Sequence, residues 1–235
     1  MFNDDSSPTL TDCIFADNTA NYGGGMRNVD NAGLGGGMHN YNSDPTLTDC
    51  TFTNNTTDGK GGGMYNHLFS SPTLTNCTFT DNTANYGGGM FNDDSSPTLT
   101  DCTFENNTAN DGGGMYNSGG TPTLTDCTFT GNTTNYRGGG MFNFATSNPT
   151  LNGCTFTNNT ASLHDGGGIW NDHSNPTLDG CMFDSNYART YGGGMYNDNS
   201  SPTLTDCIFE NNDGSRGGGM YNVNNSKATL ADCTF

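Results

Sequence analysis

The chain has 235 residues, 24 Asp and Glu against 6 Lys and Arg, and a formal charge of -18. That balance excludes a phosphate-backbone partner, which needs a basic stripe, so no nucleic-acid partner is expected; no run of 18 apolar residues supplies a transmembrane segment. Leu, Ile, Val and Phe total only 31, which with the charge resembles a disordered chain, but disorder gives no reason for apolar residues to recur in constant phase.

Met1-Phe2-Asn3 reads as the end of a Gly-Gly-Gly-Met-aromatic-Asn unit, and copies of one repeat then begin near Pro8, Pro45, Pro72, Pro97, Pro122, Pro149, Pro176, Pro202 and Ala228. Cysteines fall at 13, 50, 77, 102, 127, 154, 181, 207 and 233, spaced 25 to 27 apart except for one interval of 37. The excess in that interval lies at residues 27–38, where a loop insertion or a duplicated strand is expected. In the Pro97 copy, Cys102 and Phe104 alternate with polar residues, as do Met115 and Asn117, the period of a strand with one face buried. Leu99 and Cys102 are three apart, which requires a bend between two short strands. Gly112-Gly113-Gly114 and the Ser/Pro stretch before each Thr-Leu make corners.

Three short strands per repeat predict one turn of a parallel β-helix. The expected fold is all-β, a right-handed parallel β-helix solenoid of about nine coils of 25–28 residues, forming a single array over 1–235. The last repeat stops at Cys233-Thr234-Phe235 without a cap, as a piece of a longer solenoid would. Like residues should then stack, with Phe15, Phe52, Phe79, Phe104, Phe129, Phe156, Phe183 and Phe209 inside and an Asn three residues after each. A second asparagine row, from Asn28 and Asn40 to Asn222, follows the glycines and should set register through paired amides.

The glycine-rich tetrapeptide and the eight Phe-x-x-Asn motifs resemble the repeats of the polymorphic outer-membrane proteins, and more widely the bacterial right-handed β-helix repeat proteins of cell surfaces. The glycine motif reads Gly-Gly-Gly-Met where that family has Gly-Gly-Ala-aliphatic, and the regular cysteine lies outside its signature. The resemblance implies surface display or adhesion and an extracellular or cell-surface location.

The cysteines lack the close pairs of a zinc site, and parallel Cβ vectors suit disulfides poorly, so a column of free buried thiols is expected. After each Gly-Gly-Gly-Met methionine stand Arg27, His39, Tyr65, Phe91, Tyr116, Phe142, Trp170, Tyr196 and Tyr221. With Met and Asn inward these residues point outward, and the seven aromatics Tyr65, Phe91, Tyr116, Phe142, Trp170, Tyr196 and Tyr221 form an exposed stripe, suited to sugars or a partner, or else simply stiffening the sheet. Threonine precedes the repeat leucine in all nine copies and follows it in six, the array of an ice-binding face, interrupted at Asn152, Asp179 and Ala231.

No catalytic residues stand out. The irregular clusters His164-Asp165 with Trp170, Asp172 and His173, and Tyr187 to Tyr191, read as longer loops. The carboxylate column Asp12, Asp49, Asp101, Asp126, Asp206 and Asp232 reads as a solvated edge; no cofactor is expected, Ca²⁺ being the one ion such a column would suit. The composite expectation is a non-enzymatic structural or adhesive solenoid that self-assembles end to end or laterally, or meets a glycan or host surface. Carbohydrate-binding or polysaccharide-degrading β-helices and ice binding are the alternatives.

Overall fold

A computed structural model describes residues 1–20 and 35–235 as strands joined by tight corners. All strand pairs among these residues are parallel, and strands pair with their counterparts one repeat away. Nine strands such as Thr98–Thr100 form a Leu sheet, eight such as Thr103–Glu105 a Phe sheet, and nine such as Met115–Ser118 a Met sheet. Leu99 stands beside Leu124, Phe104 beside Phe129 and Met115 beside Met141. Seven turns are complete within the described residues, and the nine expected coils include the partial ones at each end. Most of the expected insertion at 27–38 lies outside the described residues; on its far side Met38–Tyr41 pairs directly with Phe2–Asp4.

Two features correct the three-strand repeat. A fourth short strand, such as Thr108–Asp111 or Thr133–Arg137, precedes the glycines. The bend between Leu99 and Cys102 is a single left-handed residue, Asp101, at φ 54°. The acidic column is therefore a corner column: Asp12, Asp49, Asp126, Asp206 and Asp232 share the conformation, and Asn76, Gly153 and Gly180 replace them where no carboxylate stands. Short polar side chains and glycine tolerate this region at least cost.

Leu, Cys, Phe and Met columns form one continuous core. The phenylalanine rings stack at 4.5–4.9 Å from Phe15 to Phe235, with planes within 6° of parallel. The glycines follow from that stack. A Cβ on Gly114 would lie 2.6 Å from the Gly140 carbonyl and 2.7 Å from the Phe129 ring, so only hydrogen fits between a glycine and the phenyl one rung on.

Three buried polar rows fasten the turns. Asn107 donates through Nδ2 to Asn132 Oδ1 at 3.0 Å and to the Phe79 carbonyl at 2.8 Å, while its own Oδ1 accepts from Asn82 N and Nδ2. Every polar atom of that amide has a partner, as burial demands. The second row runs from Asn3 through Asn40 to Asn222 at 2.7–2.8 Å per step; Asn28 lies outside the described residues. A third row was not anticipated: Ser43, Ser70, Ser174 and Ser200 are buried, Ser43 N donates to Ser70 Oγ, and Ser174 N donates to Ser200 Oγ.

Candidate partner-binding face

The outer positions of the Leu and Phe sheets are mostly threonine on rung after rung. Beta-branched side chains suit an exposed strand. Asn152 and Asp179 interrupt the threonine array in register, next to Thr125 and Thr205.

The outer face of the Met sheet differs, because its chemistry changes at each step. Its central column is the expected aromatic stripe. Met and Asn do point into the core, yet the stripe is not exposed: Tyr65 retains 2% of its surface, Phe91 3%, Phe142 1%, Trp170 7% and Tyr196 8%, with Tyr116 and Tyr221 half-buried. His39, expected to mark an outward position, is buried at 5%. The covering comes from two flanking columns. On one side stand the residues that precede each glycine triplet, Lys60, Tyr86, Asp111, Arg137, Asp165, Tyr191 and Arg216; on the other stand residues such as Asp93, Phe144 and Asp172.

Lys60 Nζ lies 4.6 Å from the Phe91 ring and 2.9 Å from Asp93, Arg137 lies 5.0 Å from Trp170, and Arg216 lies 5.7 Å from Tyr191. Cations over aromatic faces are held by the ring quadrupole. The rings form a second cluster outside the core, in which Phe142, Trp170 and Tyr196 pack with Tyr116, Tyr191 and Tyr221. Burial, then Asp93, pushes the Tyr65 hydroxyl well up; burial takes that of Tyr196 to about 12. The Asp111 carboxyl is raised by burial against the opposing pull of Arg137, and its Oδ1 has no hydrogen-bond partner within the described residues. The surface open to a partner is consequently the flanking residues, Tyr86 at 42% exposed, Phe144, Arg137 and Arg216, together with Tyr136 next to Arg137 in Thr133–Arg137, also 42% exposed, rather than the central rings.

The two irregular clusters meet here: buried Asp165 accepts from Tyr191 N at 2.8 Å and from Thr190 Oγ1. His173 is an αL corner residue whose Nδ1 contacts Asp172 at 2.5 Å. The cysteines stack in the core as free thiols from Cys50 to Cys207, with Cys13 and Cys233 half-buried, and burial pushes the Cys50 thiol up. Among the described residues no group of three or more His, Cys, Asp or Glu is arranged to hold a metal, and no helix is long and apolar enough to cross a membrane.

Parallel in-register sheets wound around a continuous core define a parallel β-helix solenoid. The chain belongs to the right-handed β-helix family: the family described as the right handed beta helix region matches residues 1–135 and 109–235, together its whole length. That family includes polysaccharide lyases and hydrolases as well as proteins without catalysis. A search of curated proteins returned no match.

Proposed function

We propose that this chain is a non-catalytic structural or adhesive rod, working outside the cell or at its surface, that meets its partner through the outer side of the Met sheet. The observation that carries this reading is the contrast between faces. Two long sides are mostly threonine, departing on the Phe sheet at Glu105, Met182, Asp184, Ile208 and Glu210, whereas the third varies at every rung through Lys60, Tyr86, Asp111, Arg137 and Phe144. Residues that a repeat does not need for stacking are free to serve recognition, and an extended side surface is what solenoids offer partners. Kinship with outer-membrane repeat proteins belongs with this proposal.

A glycan is the partner chemistry that exposed tyrosines beside guanidinium and carboxylate groups suit best, through ring stacking and bidentate hydrogen bonds. The test is retention of the fluorescent chain on an immobilised glycan array and on intact cells. Tyr86→Ala and Tyr136→Ala together should abolish retention while the fold is kept, and Thr98→Ala on the threonine face should leave it unchanged. Absence of retention on every glycan and cell surface would overturn the adhesive reading; release of sugar fragments would overturn the non-catalytic one.

A further inference from the structure

The column that precedes the glycine triplets has an order of its own. Rung by rung it runs cation, Tyr, Asp, cation, Asp, Tyr, cation, from Lys60 to Arg216 with Arg137 at its centre. The same types appear in the same sequence from either end. The chain holds only 6 cations, and three stand in this column.

Such an order is self-complementary in one relative orientation. An antiparallel second copy, with its two-fold axis between the Asp111 and Arg137 rungs, lays Asp111 on the partner's Arg137 and Arg137 on the partner's Asp111. At each end it brings Lys60, which keeps its ion pair with Asp93 in its own copy, opposite Tyr191 of the other copy. A two-fold axis through the Arg137 rung instead sets Arg137 on itself and Asp111 on Asp165, which repels. Placing the axis between the Arg137 and Asp165 rungs pairs Arg137 with Asp165, whose carboxylate is buried and already holds Tyr191 N and Thr190 Oγ1. Arg137 is exposed, and Asp111 has an oxygen without a partner within the described residues, which a guanidinium satisfies once the side chain turns outward.

We propose that this column is the contact of an antiparallel homodimer, centred between the Asp111 and Arg137 rungs. The inference rests on the reading that this long face meets a partner, and adds to the glycan of that reading a second copy of the chain. Net charge of -18 per copy opposes association, but at about 0.15 M salt the Debye length is about 8 Å, so carboxylates on the far sides are screened while contacts in the column are not. In this register six rungs, Lys60 to Tyr191, face their counterparts, and at about 4.8 Å per step they span about 24 Å. That strip belongs to the small class of specific interfaces, below about 1,200 Å² in total, so the dimer is concentration-dependent.

Sedimentation velocity of the 235-residue chain, from low to high micromolar, tests it. The unaltered chain should show a monomer–dimer equilibrium. Arg137→Glu and Asp111→Arg should each weaken the dimer about tenfold or more, since each reverses both symmetric contacts. An equimolar mixture of the two variants should recover it, because the reversed Asp111 of one copy then faces the reversed Arg137 of the other and the two native residues face each other. Circular dichroism establishes that each variant is folded; if Asp111→Arg is not, Asp111→Asn must weaken the dimer without unfolding. A monomer at all concentrations, association indifferent to either variant, or no recovery on mixing overturns the proposal. A monomeric chain that still binds glycans or cells overturns the dimer alone and leaves the adhesive reading standing.

Discussion

Replacing Asn107 by alanine removes one link from the inner asparagine row, and the structure sets the size of the effect. Asn82 N and one Asn82 Nδ2 hydrogen lose their acceptor, and the Phe79 carbonyl, which stays in the parallel ladder with the next rung, loses its side-chain donor. Asn132 Oδ1 keeps a single partner, the backbone N of residue 107. Two buried donors are left unsatisfied at about 1–3 kcal/mol each, partly offset by relaxation, so destabilisation of about 2–5 kcal/mol is expected. Equilibrium urea unfolding of the variant against exposed Thr108→Ala, which should shift stability by no more than about 0.5 kcal/mol, reads the difference. Asn107→Asp sharpens the test, because its second oxygen faces the Phe79 carbonyl and Asn132 Oδ1. Burial beside acceptors raises that carboxyl's folded pKa above its unfolded value, so the variant should be most stable at low pH, where the acid can donate, and lose stability as pH rises through the folded pKa. An Asn107→Ala variant no less stable than Thr108→Ala would refute the claim that paired amides hold the turns in register.

Gly114→Ala should cost about 3 kcal/mol or more, since its methyl meets the Gly140 carbonyl and the Phe129 ring together, and a fall in thermal midpoint of several degrees is the readout. Native thiol titration should label Cys13 and Cys233 quickly and the seven buried cysteines only in denaturant; fast labelling of Cys102 would show that the column is open. Burial holds His39 at a pKa of about 3, so between that value and the ordinary histidine range the unfolded chain binds the extra proton. Stability should therefore fall as pH drops from about 6.5 toward 4, and His39→Phe, packing between Phe2 and Tyr65 as His39 does, should flatten that slope in thermal melts.

The core was legible because a parallel solenoid stacks identical positions. Leu99, Cys102, Phe104 and Asn107 each predict their own neighbour one repeat away, and register follows from the copies alone. The corner was legible in principle as well: Asp101, Asp126, Gly153 and Gly180 share a type tolerant of positive φ, although the column first reads as a charged edge. The serine row offered a similar signal at Ser43, Ser70 and Ser95, beside prolines that drew attention to the turn instead.

Period and alternation thus determined which residues face the axis, because alternation is a local property of an extended chain. They could not determine how deeply the outward residues lie. Thr108–Asp111 is too short and polar to announce itself as a strand, yet that strand carries Asp111 to the edge of the aromatic column. Arg137 reaches Trp170, and Lys60 reaches Phe91 and Asp93, from different strands and different rungs. Burial of the stripe is a sum over side chains distant in sequence, and only their arrangement in space turned an expected exposed ribbon into a covered seam flanked by tyrosine, arginine and aspartate.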